Sequence, residues 1–168
     1  MKKIFCLLIL MSTLVLQSGI LLAQGGYKSS GGTSAGLRLG PDAGITIKHH
    51  TGKTAYEGIL HLNNWFQGVT VLYHFFHKPI TSDLPGLDWY AGAGGHIWNY
   101  RTTYKFRPGW VEVGTGTGIG VDFAIGAQYN FPGAPLNLSL DWKPALNLIG
   151  GTGFAYSSAG LSVRYRWR

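Results

Sequence analysis

Residues 116–131, GTGIGVDFAIGAQYNF, fall into two sets by alternate position. The odd positions carry mostly large apolar side chains, such as Ile119, Phe123 and Ile125, whereas the even positions carry glycine, alanine or polar residues, including Asp122. Strict alternation is the period of a β-strand, whose successive side chains point to opposite faces, and an α-helix does not produce it. We therefore predict a strand with one large apolar face and one small, polar face.

The same alternation occurs in PLNLSLDWK (135–143) and in the carboxyl-terminal stretch AGLSVRYRWR (159–168). Glycine, proline and asparagine segments such as GPDAG, TGK and PGAP separate such stretches and are typical of turns. The pattern predicts an all-β fold, an eight-stranded antiparallel up-and-down transmembrane β-barrel. We expect its strands at about residues 34–40, 44–50, 54–62, 66–76, 87–106, 110–130, 136–144 and 158–168.

The composition favours a barrel in lipid over a water-soluble domain. Charged residues make up 12% of the chain, about half of the ~25% usual for soluble domains, and there are 26 glycines. Past residue 23, no apolar run approaches the ~20 residues of a membrane helix. A closed barrel with an apolar exterior and a polar interior fits these properties.

The amino terminus has the features of a secretory signal peptide. A short basic head, Met1-Lys2-Lys3, precedes a nearly continuous apolar segment at residues 4–16, and SGILLAQ follows with the small residue Ala23 at the boundary. We predict cleavage after Ala23, a flexible lead-in at 24–33 and a barrel at 34–168. Cys6, the only cysteine, lies in the segment that would be removed, so the mature chain would form neither a disulfide nor a thiolate metal site.

The signal peptide, the eight alternating strands and the terminal strand GLSVRYRWR (160–168) together resemble the small outer-membrane β-barrel proteins of Gram-negative bacteria, of the OmpX and OmpA-barrel type. The resemblance implies an outer-membrane location with both termini on the periplasmic side. It places the segments near 41–43, 63–65, 107–109 and 145–157 outside the cell. It also implies outer-membrane lipid, lipopolysaccharide and the outer-membrane assembly machinery as partners.

Charged residues fall on the inward positions of the predicted strands. A charge on the lipid face would cost ~2–4 kcal/mol at the membrane midplane, so we expect these side chains to pair inside the barrel. Because the basic residues have acidic partners and alternate with lipid-facing residues, a nucleic-acid-binding function is excluded. The predicted lumen network comprises Arg38, Lys48, Glu57, Asp88, Asp122, Asp141, Lys143, Arg164 and Arg166.

Aromatic residues occupy outward positions near the predicted strand ends, as expected for the aromatic girdles of membrane barrels. The predicted girdle comprises Trp65, Tyr73, Trp89, Tyr129, Trp142, Tyr165 and Trp167.

Strands 5 and 6 are longer than the membrane requires, and the segment RPGW between them supplies a turn. We expect their extension to form an external hairpin whose cations bind lipopolysaccharide phosphates or an acidic protein partner at the cell surface. The alternative is a hairpin that only lies on the membrane surface. The predicted hairpin surface comprises Tyr100, Arg101, Tyr104, Lys105, Phe106, Arg107 and Trp110.

We predict no catalytic, cofactor or metal site. The segment GTGTGIG (114–120) lacks the spacing of a phosphate-binding loop and a following helix. Of the six histidines, His50 and His74 are expected at one end of the barrel and His61 and His96 at the other, too far apart for a metal site. The predicted function is therefore a structural or surface-interaction barrel with a closed, charge-lined lumen. Two alternatives stay open, an outer-membrane lipid A-modifying acyl hydrolase or transferase and a soluble periplasmic lipid-binding β protein.

Overall fold

A computed structural model of the protein describes residues 32–62, 66–106, 109–150 and 153–167. Eight strands form one closed sheet in which each strand pairs antiparallel with its neighbours in sequence and β1 pairs with β8. The fold class predicted from the alternating pattern is confirmed. The strands are β1 (Gly32–Leu39), β2 (Gly44–Thr51), β3 (Thr54–Leu62), β4 (Phe66–Pro79), β5 (Leu87–Phe106), β6 (Gly109–Asn130), β7 (Leu136–Ile149) and β8 (Gly153–Trp167).

The up-and-down order gives the barrel two different ends. We call the end where β1 begins and β8 finishes the terminal end; it also carries the connections at 52–53, 80–86 and 131–135. The opposite end, where β5 and β6 meet, is the hairpin end. β1 and β2 have 8 residues each, whereas β5 has 20 and β6 has 22, so the wall is much taller on one side at the hairpin end.

Side chains alternate between the two faces of the wall, as the strand period requires. Outward residues are large and apolar and stay exposed, for example Leu37, Ile47 and Leu140. Inward residues are mostly polar or charged and buried, and the apolar cluster among the buried residues is small, consisting of Ile59, Leu72 and Ala124. This is the reverse of a water-soluble protein. No helix in the described part of the chain is long and apolar enough to cross a membrane.

Several strand ends differ from the prediction. β7 continues to Ile149 and β8 begins at Gly153, so most of the segment 145–157, predicted as an external loop, is strand. Pro144, at the predicted strand end, cannot donate a ladder hydrogen bond. The barrel accommodates it at a local interruption: β6 and β7 pair at Asp122↔Ala145 and again at Ile125↔Trp142 in the same register, and no pair is formed between these positions.

The other two differences are smaller. β1 starts at Gly32, inside the segment predicted as a lead-in. β4 runs to Pro79 instead of 76, and it contains a bulge between His74 and Phe76. The bulge changes which residues face inward near the terminal end, because one extra residue inverts the alternation.

Candidate functional site in the barrel lumen

Within the described part of the wall, four buried cations and four buried anions form one network, and their formal charges cancel. None of these side chains is more than 6% exposed, although they come from seven different parts of the wall. An isolated charge could not remain at such a position, so each needs a partner of opposite sign. The eight residues, which we call the lumen plug, are Arg38, Lys48, Lys143, Arg164, Asp42, Glu57, Asp122 and Asp141.

Arg38 of β1 joins two carboxylates. Its Nη1 and Nη2 atoms donate to the two carboxylate oxygens of Asp141 in β7, at 3.0 and 2.7 Å, in a bidentate pair. Its Nε donates to Asp42 Oδ2 at 2.9 Å, and Asp42 lies in the turn that follows β1. The planar guanidinium fork suits this bidentate geometry, which lysine could not reproduce.

A second group at the hairpin end centres on Asp122 of β6. Lys143 Nζ lies 3.2 Å from Asp122 Oδ1 and 3.7 Å from Asp42 Oδ2. His96 Nδ1 lies 2.7 Å from Asp122 Oδ2, and its Nε2 lies 2.8 Å from Asn147 Oδ1. Because Lys143 contacts both carboxylates, the Asp122 group and the Arg38 group form one continuous network.

Glu57 of β3 is the centre of the network toward the terminal end. Its Oε1 accepts hydrogen bonds from Arg164 and from Thr46, while Lys48 Nζ lies 3.6 Å and His74 Nε2 lies 3.0 Å from Oε2. Arg164 also donates to Asn137 and Ser139 on β7, so its guanidinium spans the lumen.

Tyr90 of β5 connects the two halves of the plug. Its hydroxyl donates to Asp141 Oδ2 at 2.8 Å, and the Lys48 ammonium lies over its ring at 3.8 Å from the centroid. Lys48 also donates to Gln128 at 3.3 Å. The lumen is therefore filled by side chains from end to end of the plug, as expected for eight strands.

Below the plug, a cavity of ≈ 410 Å³ opens at the terminal end. Asp88 and Arg166 line it, together with His50 and His77 and with residues of the 80–86 connection. Asp88 is 8% exposed and Arg166 is half-buried. Of the nine charged residues predicted for the lumen, seven thus lie in the plug and these two lie at its mouth.

The sequence did not identify Asp42 or Tyr90 as members of the network. The segment GPDAG predicts only a turn, and Tyr90 is one residue of the predicted strand 87–106. The spacing of Arg38 and Asp42, four residues apart across the start of the turn, was the available signal for Asp42. Tyr90 had no such signal, because its position is set by strands that are distant in sequence.

The aromatic residues of the predicted girdle that the structure describes all lie on the outward face. Tyr129 and Phe131, Tyr165 and Trp167, and Tyr56 and Tyr73 form ring pairs with centroids 4.6, 5.5 and 5.1 Å apart near the terminal end. Trp89 lies near the start of β5 at the same end.

Trp142 is a correction, because it lies in the middle of the lengthened β7 and not near its end. Trp65 lies outside the described residues.

The predicted hairpin is present as backbone. β5 and β6 pair up to Phe106↔Gly109, with a register shift at Thr102/Thr103. The last pair of β5 with β4 is Tyr100↔Phe66, and that of β6 with β7 is Ile119↔Ile149. Among the described residues, the segment beyond these pairs therefore forms no ladder pair with a strand outside the hairpin, although Gly118 at its base lies beside Asn147 of β7. The side chains of the predicted hairpin surface, and the whole of Arg107, lie outside the described residues.

No group of three or more histidine, cysteine or acidic side chains in the described part of the chain is arranged to hold a metal ion. His61 bonds Thr70 at 2.9 Å and His96 is held by Asp122, both toward the hairpin end, whereas His50 and His74 lie toward the terminal end.

Comparison with known proteins gives a structural relative only. No protein-family model matches the chain, and no curated protein matches its sequence. The barrel is similar to the solved N-terminal β-barrel domain of Pseudomonas aeruginosa OprF, with a TM-score of 0.51 and 17% sequence identity over 85% of this chain and 100% of that chain. At this identity the similarity concerns the fold, which is that of an outer-membrane β-barrel. The narrower resemblance to OmpX is not confirmed.

Proposed function

We propose that the protein is an outer-membrane β-barrel with a closed lumen that acts as a structural and surface-interaction protein through its external hairpin. The observation that carries this proposal is the arrangement of the two faces. The inward face buries charges that neutralise each other, and the outward face leaves large apolar side chains exposed on every strand. Only surrounding lipid would remove that apolar surface from contact with water.

The two faces argue against a soluble lipid-binding barrel. Such a protein would need an apolar cavity inside and a polar surface outside, whereas Arg38, Lys48 and Arg164 fill the interior here. A lipid A-modifying enzyme is also not favoured. Such an enzyme needs a nucleophile at the membrane edge, and Ser157 and Ser158 of β8 are the serines considered for that role. Ser158, whose side chain is described, faces the lumen and is 1% exposed, so it does not reach the membrane edge.

Membrane insertion is tested by cell fractionation and by gel mobility. The mature protein, beginning at or near Gln24, should fractionate with outer membranes, and unheated and boiled samples should migrate differently. Recovery from the soluble periplasm without a mobility difference would contradict the proposal.

The closed lumen is tested by conductance in planar bilayers. Because the plug fills the lumen, we expect no large steady conductance, and stable channels of porin size would contradict a closed lumen.

The interaction function is assigned to the β5–β6 hairpin, which extends beyond its neighbouring strands by about six residues on the β5 side, or roughly 20 Å of strand. Its sequence combines Arg101, Lys105 and Arg107 with four aromatic residues. Cations beside amphipathic rings suit phosphate groups on a glycolipid surface. We therefore assign lipopolysaccharide as the first ligand to test.

Replacement of residues 101–109 by a short turn should leave the barrel folded and abolish binding to vesicles that contain lipopolysaccharide. A matched variant with Arg101, Lys105 and Arg107 changed to glutamine separates the cations from the aromatic rings. If the trimmed barrel binds these vesicles as the full chain does, the hairpin is not the functional element. Retention of a surface protein partner by the full chain but not by the trimmed one would instead assign the hairpin to a protein ligand.

A further inference from the structure

The bulge in β4 turns His77 toward the lumen. His74 pairs with Gly92, but Phe76 pairs with Ala91 and His77 with Tyr90, so Phe75 is an extra residue without an opposite partner. In a regular ladder without the bulge, His77 would lie on the outward face with Phe75, which is 55% exposed to the surroundings of the barrel. Bulges commonly re-aim a side chain in this way near functional sites.

The re-aimed ring lies beside two other imidazoles. The ring centroids of His77 and His50 are 5.1 Å apart with their planes at 70°, and those of His77 and His74 are 5.6 Å apart. Both ring nitrogens of His77 are buried; one lies near the Lys53 backbone, and neither makes a hydrogen bond of good geometry among the described residues. Buried polar groups in native proteins are nearly always satisfied, so these nitrogens require an explanation.

The geometry of the pair suits a metal ion. An imidazole nitrogen binds zinc at about 2.0–2.1 Å, which places the ring centroid about 3.2 Å from the ion. Two such ligands at a tetrahedral angle hold their centroids about 5 Å apart, close to the distance between His50 and His77. Both residues line the ≈ 410 Å³ cavity, which leaves room for water or a small ligand at the other coordination positions.

We propose that His50 and His77 form a two-imidazole site for a transition-metal ion such as Zn²⁺ or Cu²⁺ at the terminal-end mouth of the barrel. His74 is not required as a ligand, since its Nε2 already faces Glu57, and no three-residue metal group exists in the described part of the chain. The neighbouring cation Lys48 is balanced by Glu57 at 3.6 Å, and the cavity wall carries the carboxylate of Asp88 as well as the cations Lys53 and Arg166. Imidazole ligands suit these ions, and an incomplete protein ligand set leaves the site open to exogenous ligands.

The test uses the mature chain, without an affinity tag, folded in detergent micelles. Calorimetric titration with Zn²⁺ should show one ion per chain, and Cu²⁺ at one equivalent should give a paramagnetic resonance spectrum with coupling to two ring nitrogens. His50→Ala and His77→Ala should each weaken metal binding by at least roughly 10–100-fold, which is the loss seen when only a hydrogen-bond partner of a metal ligand is removed. His49→Ala is the matched control, because His49 is adjacent in β2 but faces outward, where it contacts Thr33.

The difference in mobility between unheated and boiled samples verifies that each variant is folded. If His77→Ala does not fold, His50→Ala carries the test, since it leaves the bulge unchanged. The site is overturned if the native chain binds neither ion, if the double variant binds as the native chain does, or if His49→Ala weakens binding equally.

Discussion

The inward and outward faces of the wall are made by alternate residues of the same strands, yet they obey opposite rules. On the inward face, every charge of the lumen plug has an opposite charge within 4 Å, and polar partners such as Thr46, Tyr90 and Gln128 complete the set. On the outward face, large apolar residues such as Ile47 and Leu140 are about half exposed and need no specific partner. Specific side-chain pairing in this barrel therefore lies on the inward face, whereas the outward face needs only to be apolar.

The sharpest test of this difference is a pair of substitutions at adjacent positions of β3. Glu57→Leu leaves Arg164 and Lys48 buried without their shared carboxylate, and breaking a buried pair from one side costs about 4 kcal/mol. Tyr56→Leu, on the outward face, loses a ring contact with Tyr73 and should cost about 1 kcal/mol or less. Equilibrium denaturant unfolding in phospholipid vesicles measures both free energies of unfolding. Equal losses would show that the inward face is not special.

Asp122→Leu should have the next largest effect, a loss of about 3 kcal/mol in the free energy of unfolding. The loss is smaller than at Glu57 because Lys143 keeps Asp42 at 3.7 Å and His96 keeps Asn147 at 2.8 Å. Phe123→Leu, at the next position on the outward face, is the matched control and should change stability by less than about 1 kcal/mol. The same vesicle unfolding measurement applies, and a loss for Asp122→Leu no greater than for Phe123→Leu would contradict the role of Asp122 in the plug.

A charge placed on the outward face should cost less than a charge stranded on the inward one. Leu140 lies four residues along β7 from its start at the aromatic terminal end, roughly 10 Å into the apolar band. Leu140→Arg should lower stability by about 2 kcal/mol, because the long side chain can reach part of the way to the interface. Phe131→Arg, at the terminal end itself, should cost less than about 1 kcal/mol. Equal losses of stability at the two positions would mean that the cost of an outward charge does not depend on depth, which contradicts a membrane around this face.

The alternation in residues 116–131 was enough to predict a two-faced strand and the inward position of Asp122, because a period of two follows from backbone geometry alone. The barrel was predictable because the same alternation recurs along the chain between turn segments. Pairing across the lumen was not predictable in the same way. Arg38 meets Asp141 across 103 positions of sequence, and that meeting depends on strand register and barrel closure. His77 was missed because a single extra residue inverted the pattern, and nothing in the local sequence HFFHKP marks the bulge. The alternating pattern therefore predicts which face a residue takes, whereas strand register determines which residues pair across the lumen.

The smallest expected effect tests how tightly the lumen plug packs against the barrel wall. Gly160 lies under Arg38, and a Cβ added there would lie 2.3 Å from Arg38 Cζ. The guanidinium is at the end of a flexible side chain, so Gly160→Ala should displace it and weaken its bidentate pair with Asp141, lowering stability by about 1–2 kcal/mol. Gly133→Ala is the matched control, because an added Cβ there meets no atom within 4 Å, and it should change stability by no more than about 0.5 kcal/mol. A double variant that adds Arg38→Met removes the guanidinium from the clash. If the cost of Gly160→Ala does not fall in that background, the substitution does not act through Arg38. That result would contradict the prediction that the lumen plug packs tightly around Gly160.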